Sequence, residues 1–207
     1  MEDIERKVIK LAMLGDSSVG KTSICYVLIN LDFQNELLAT IGQDKIEYQM
    51  KMEDGKEMKV LIWDTAGQER FHSIALKACR NAQGIVIVFD LTNKKSFLNV
   101  VNWLKDIKEN FKSPSLILLG NKCDLTEKRT VSKKEAEDFA KEHNLIYFET
   151  SARQKININA SFEKLANEVY KRYDNTKSGI SLKSGNKVKK KGCCGGGNEK
   201  KMRNSVP

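Results

Sequence analysis

Histidine is scarce in this chain: His72 and His143 are the only two in 207 residues. The five cysteines, at 25, 79, 123, 193 and 194, are too scattered to form a zinc ligand set with them or a disulfide framework. That usage fits the cytosol, and Cys25, Cys79 and Cys123 read as small packing or loop residues. No apolar run approaches the ~18 residues needed to span a bilayer. The amino terminus, Met1-Glu2-Asp3-Ile4-Glu5, is acidic and lacks the apolar core of a secretory signal. Glu2 also stands where N-myristoylation needs glycine. The body of the chain is nearly free of net charge as well. Of the chain's net +9, +7 falls between Asp174 and Pro207, where nine Lys or Arg face two acids. A nucleic-acid binder spreads basic residues over a folded face, whereas this stretch is rich in Gly, Ser and Asn and has little to bury. An anionic membrane surface is therefore the expected partner, and nucleic acid is not. A nuclear-localisation role for Lys189-Lys190-Lys191 is the alternative.

What the chain does have begins at Gly15-Asp16-Ser17-Ser18-Val19-Gly20-Lys21-Thr22, which fits the phosphate-binding pattern G-x-x-x-x-G-K-[ST]. It follows the apolar run Val8 to Leu14 and opens a helix at Lys21, as that pattern requires. The two glycines let the backbone coil closely enough for consecutive N–H groups and the helix amino terminus to surround phosphate oxygens. Lys21 adds a cation, and Thr22 an oxygen ligand for Mg²⁺. Four such positions would coincide in about one random chain in a hundred of this length, so the loop alone is suggestive.

Asn121-Lys122-Cys123-Asp124 follows the run Leu116 to Leu119, which places it in a loop at the carboxyl end of a strand, where open α/β sheets bind ligands. A carboxylate such as Asp124 can accept from guanine N1–H and the 2-amino group. Adenine offers neither donor, and the unmade bond costs about 1–3 kcal/mol. In isolation the tetrapeptide reads more readily as a turn whose Asn and Asp bond their own backbone, but behind a phosphate loop the guanine reading prevails. Asp64-Thr65-Ala66-Gly67-Gln68-Glu69-Arg70 again closes a strand-like run, Val60 to Trp63.

Strands and helices alternate along the chain. The first strand is expected at about 6–14, and Lys45 to Met52 alternates polar with apolar before an Asp54-Gly55 hairpin turn and a strand at about 57–63. Gly84 to Asp90 and Ser115 to Gly120 are nearly all apolar, the pattern of parallel strands covered on both faces, and Tyr147 and Phe148 mark a shorter sixth strand. Phe97, Val100, Val101, Leu104, Ile107 and Phe111 form a helical stripe. Ser132-x-x-Glu135 is a capping box opening a helix whose inner face carries Phe139, and the last helix carries Phe162, Leu165, Val169 and Tyr173. The stripes are read as core.

Taken together, GDSSVGKT, DTAGQE, NKCD and Glu149-Thr150-Ser151-Ala152 resemble the Ras superfamily of small GTPases in order and spacing, over about residues 6 to 173. Within it the chain is similar to the Rab branch, through Thr40-Ile41-Gly42, Lys59 to Trp63, Arg70 to Ile74, Phe89 to Asn93 and the doubled Cys193-Cys194. It departs from that branch at Gln43-Asp44-Lys45 and at Ala78-Cys79-Arg80-Asn81, so effector identity does not carry over. The resemblance implies an α/β fold of the P-loop NTPase, small G-domain kind. This is a six-stranded, mostly parallel sheet with one antiparallel edge strand, flanked by five helices. Residues 1–173 form the GTPase domain and 174–207 a flexible basic tail.

It also implies roles. Gly15, Ser17, Ser18, Val19, Gly20, Lys21, Thr22, Ser23 and Gly67 would bind phosphate, and Phe33, Asn121, Lys122, Asp124, Ser151, Ala152 and Arg153 the guanine nucleoside. Phe33 and the stem of Lys122 would cover the two faces of the base, and the Ala152 N–H would bond guanine O6. Thr22 and Thr40 would ligate Mg²⁺, with Asp64 holding it through water. Gln68, Lys21 and Thr40 would be the catalytic group, Gln68 by orienting the attacking water. No Arg or Lys lies between Asn30 and Ala39 to stabilise developing charge, so hydrolysis should be slow alone, on the order of 10⁻⁴ per second, and faster by about 10³ to 10⁵ when an activating protein supplies arginine. Such slow turnover suits a switch whose segments at Thr40 and Gly67 are pinned by the γ-phosphate.

The chain is thus expected to bind GTP and GDP with Mg²⁺ and to act as a monomer on the cytoplasmic face of endomembranes in vesicle traffic. Its partners would be an exchange factor, an activating protein, a GDP-dissociation inhibitor and effectors. Cys193 and Cys194, with lysines at 187, 189, 190 and 191 before them, are the candidates for lipidation, although thirteen residues follow where Rab tails generally end. The alternative is an unmodified thiol pair. A Rho-type switch would carry an insert between Asp124 and Thr150, where only 25 residues lie. A Ran-like carrier would lack the paired cysteines. A non-hydrolysing guanine-nucleotide scaffold is disfavoured by Gln68 with Thr40.

Overall fold

The computed structural model describes residues 8–31, 43–65, 76 and 80–181. Phe33, Thr40, Gly67, Gln68, Cys79, Cys193 and Cys194 lie outside the described residues. Strand β1 is Val8–Leu14, helix α1 Lys21–Leu28, β2 Gln43–Lys51, β3 Glu57–Thr65 and β4 Gly84–Asp90. They are followed by α2 (Lys94–Leu98), α3 (Val100–Asn110), β5 (Ser115–Asn121), a single 3₁₀ turn (Thr126–Lys128), α4 (Lys133–Glu142), β6 (Ile146–Glu149) and α5 (Ile158–Ser181).

The six strands form one sheet in the order β2-β3-β1-β4-β5-β6. Only β2 pairs antiparallel, against β3, with Ile46 opposite Ile62 and Lys51 opposite Glu57. The remaining pairings are parallel. This is the expected sheet, and among the described residues five helices flank it.

The sequence dictates the two faces through side-chain alternation. In β4 every residue is buried: Val86 and Val88 join the core under α1 and α5, while Ile85, Ile87 and Phe89 join the core under α2, α3 and α4. In β2 one face is wet. Lys45, Glu47, Gln49 and Lys51 are exposed while Ile46 and Met50 are buried, the alternation expected of an antiparallel edge. Phe162, Leu165 and Val169 fasten α5 to the first core.

The stripe read at 97–111 needs one correction. The helix is broken at Asn99, and the phase of α3 puts Trp103 inside at 5% exposure and Val101 outside at 50%. Phe139 on α4 is only partly buried, and Ala136 and Ala140 are the buried residues of that helix. Its amino terminus is capped as expected, with the Ser132 hydroxyl accepting from Glu135 N at 3.2 Å.

Candidate functional site

Chain order reverses direction across the sheet at β1. The chain fills the β3 side first and then crosses to β4, so the crevice at the carboxyl ends of β1 and β4 is a topological switch point. The loop after β1 lies there. Gly15 takes φ 143°, and a Cβ on it would collide with the Val88 carbonyl of β4. Gly20 takes φ 99° and abuts the Asn121 side-chain amide so closely that a Cβ would clash with it. Both glycines are therefore required by conformation and by space. Ser18 also sits at positive φ, 61°.

Helix α1 starts directly behind this loop with no side-chain cap and no acid in its first turn, leaving the positive end of its dipole facing the loop. Lys21 is 5% exposed, and its Nζ donates to Gly15 O at 2.9 Å and Asp16 O at 2.8 Å. Burial lowers its pKa to about 8, against the opposing influence of Asp64 and Asp16. Thr22 Oγ1 donates to Asp64 Oδ2 at 2.5 Å, and Asp64 is fully buried at the end of β3.

The second half of the site comes from β5 and β6. Asn121 ends β5 opposite Asp90 of β4 and is 2% exposed. Its Nδ2 donates to Val19 O at 2.9 Å, while its Oδ1 accepts from Thr150 Oγ1 and from Ala152 N, each at 3.3 Å. Backbone bonds from Cys123 N to Thr150 O and from Thr150 N to Gly120 O lock the loop after β6 beside it. Ser151 Oγ donates to Asp124 Oδ1 at 2.6 Å and accepts from Gln154 N at 3.0 Å. Lys122, at φ 66°, reaches Ser18 O at 2.9 Å and pairs with Asp90 at 2.7 Å. Arg129 grips the Glu149 carboxylate with both terminal nitrogens, bracing the same loop from outside.

Of the residues singled out from the sequence, the fold therefore gathers Gly15 through Ser23, Asp64, Asn121, Lys122, Asp124, Ser151 and Ala152 along one edge. Arg153 follows them on the exposed surface. Phe33, Thr40, Gly67 and Gln68 are outside the described residues. Sequence reasoning missed Asp16, whose carboxylate is bonded to α3, and Asp90, which neutralises Lys122. The residues also fit a magnesium ion. Their donor set is oxygen only, a hydroxyl and a carboxylate already in contact, and among the described residues no group of three or more His, Cys, Asp or Glu could hold a metal. Mg²⁺ characteristically takes one or two protein oxygens plus phosphate rather than an all-protein cage.

The pattern of the Ras family matches residues 10–171. "Ras-related protein Rab-13" of Bos taurus is 42% identical over 181 residues, covering 86% of this chain and 86% of that protein. "Ras-related protein Rab-10" of Diplobatis ommata is 44% identical over 163 residues, covering 77% and 80%. "Ras-related protein Rab-8A" of Bos taurus is 40% identical over 178 residues, covering 86% of each.

Proposed function

Since this chain belongs to the Ras family, as a Rab-type small GTPase, we propose that the edge described above is its guanine-nucleotide site. The chain is a GTPase and a switch in vesicle trafficking that works on GTP and GDP with Mg²⁺. The observation that carries the assignment of the site is Asn121. One buried amide joins the phosphate loop at Val19 to the loop of Thr150 and Ala152, so the groups for phosphate and for base are held as one body.

The roles are those the family resemblance implies, and the placement of the described residues supports them. Gly15 to Ser23 would wrap the phosphates, the Lys21 ammonium would pair with them, Thr22 would ligate Mg²⁺ and Asp64 would hold it through water. Thr40 completes the metal site and Gly67 reads the γ-phosphate. Once held by Thr22, Thr40 and Asp64, Mg²⁺ would supply the positive charge that offsets charge growing on the phosphates during transfer. Asp124, oriented by Ser151, accepts from guanine N1–H and the 2-amino group. The Ala152 N–H donates to O6, and Phe33 and the Lys122 stem cover the ring. Gln68 orients water, a positioning task that needs no strong base.

The family brings with it exchange factors, activating proteins, GDP-dissociation inhibitors and effectors as kinds of partner. These would act on a monomer, with residues 1–173 as the GTPase domain. The segment from 174 to 207, whose first eight residues continue α5 to Ser181, would hold the chain at the cytoplasmic face of endomembranes through its lysines and through lipid on Cys193 and Cys194. Among the described residues no helix is long and apolar enough to cross a membrane.

Base selectivity tests the site. Asp124→Asn presents an amide that can donate to the 2-oxo group of xanthine, so preference should move from GTP toward XTP by about 1–3 kcal/mol, or about fivefold to 150-fold. Competition binding with an unchanged preference would reduce Asn121 to Asp124 to a turn.

A further inference from the structure

Asp16 lies inside the phosphate loop, yet none of the nucleotide contacts assigned above uses its side chain. Its Oδ1 accepts two hydrogen bonds, from Asn99 Nδ2 at 2.6 Å and from Trp103 Nε1 at 2.9 Å. Both donors flank the break between α2 and α3. Asn99 is the residue of the break, its own Oδ1 held by Asn102 Nδ2 at 2.6 Å. Trp103 is 5% exposed and packs in the core with Val100 and Ile107. The anchor is thus a side chain with little freedom to move. On the opposite side of Asp16, the backbone carbonyl accepts from Lys21 Nζ at 2.8 Å. A single residue connects the core of α3 to the ammonium that faces the phosphates.

Charge alone argues against a carboxylate here, because Asp16 repels the phosphates that the loop binds. Shape argues for it. Gly15 and Gly20 leave the loop backbone permissive, with φ of 143° and 99°, so tethers must select its conformation. Asn121 tethers it at Val19, and Asp16 tethers its beginning.

We propose that Asp16 is a positioning residue for the nucleotide: bound to Asn99 and Trp103, its carboxylate holds the phosphate loop and Lys21 in the geometry that receives the phosphates. The proposal rests on the nucleotide-site assignment given above. Every hydrogen bond to this carboxylate that breaks lets the loop relax, so its loss should appear in the rate at which nucleotide leaves.

The test is the release of N-methylanthraniloyl-GDP from the Mg²⁺-loaded full chain, chased with excess GDP, with the thermal midpoint measured on the same samples. Asp16→Ala should speed release about tenfold, as expected for hydrogen bonds to a charged group. Asp16→Asn keeps the Oδ1 acceptor and removes the charge, and should stay within about twofold of the unaltered chain. Trp103→Phe keeps an aromatic ring in the core but loses the N–H, and should speed release about threefold. Combined with Asp16→Ala it should add nothing, because both changes remove the same bond. Release from Asp16→Ala that is unchanged or slower, the result that relief of repulsion alone gives, would overturn the proposal. So would a lowered thermal midpoint with unaltered release, which marks a purely structural tie. If the unaltered chain holds no guanine nucleotide, the nucleotide-site assignment itself fails, and the proposal with it.

Discussion

Asn121 shows how much one side chain can carry when it is both buried and fully bonded. Truncation to alanine would leave the Val19 carbonyl and the Thr150 hydroxyl without their partner at a site where Asn121 is only 2% exposed, and would untie the two loops that it joins. Each orphaned buried group costs about 1–3 kcal/mol, so Asn121→Ala should weaken GDP by at least about thirtyfold. Equilibrium binding within a few-fold of the unaltered chain would contradict this. Asn121 was legible in the sequence because a fixed tetrapeptide after an apolar run announces both its neighbours and its edge of the sheet. Gly15 and Gly20 were legible for the same reason, since spacing alone places them in the loop. Asp16 was not, because the residues that give its carboxylate a purpose lie 83 and 87 positions away. Local pattern carries no information about that distance.

At the scale of elements, strand alternation and all-apolar runs told the two-faced strands from the half-wet edge, and β2 and β4 appear with the burial their sequences demand. Helix phase was harder. A stripe counted from Phe97 to Phe111 took Val101 inside and passed over Trp103, although the buried residues Phe97, Val100, Trp103, Ile107 and Phe111 keep one helical period across Asn99. Burying an indole also looks unfavourable until its N–H has a partner, and that partner is Asp16.

The packing of α5 on the sheet makes a sharper prediction at this scale. Gly84 opens β4, and a Cβ there would come within 2.7 Å of Leu11 Cδ2, 3.0 Å of Val169 Cγ2 and 3.2 Å of Leu165 Cδ1. Gly84→Ala therefore requires the Leu11 side chain of β1 and the Val169 and Leu165 side chains of α5 to give way. It should cost about 1–3 kcal/mol by overpacking, read as a lower urea midpoint with an unchanged slope. A midpoint equal to that of the unaltered chain would show that α5 yields there without cost.

The whole molecule separates two tasks along its length. Residues 1–173 carry net charge +2 and include the six-stranded sheet, while residues 174–207, the first eight of which continue α5, carry net charge +7 and the paired cysteines. The order of motifs fixed the family and the sheet in advance, while the segments that would sense the γ-phosphate, around Thr40 and Gln68, lie outside the described residues. Two lipid chains anchor stably where one does so marginally, so native protein should carry adducts on both Cys193 and Cys194 by mass spectrometry. Free thiols at both positions would leave the lysines as the tail's only hold on a membrane. Single-turnover phosphate release from the GTP·Mg²⁺-loaded chain tests whether water positioning at Gln68 times a slow GTPase switch. Intrinsic release should be on the order of 10⁻⁴ per second, an arginine-supplying activating protein should accelerate it by about 10³ to 10⁵, and the accelerated rate should be at least about tenfold lower in Gln68→Leu. No phosphate release from the unaltered chain, or equal accelerated turnover in the two proteins, would contradict such a switch.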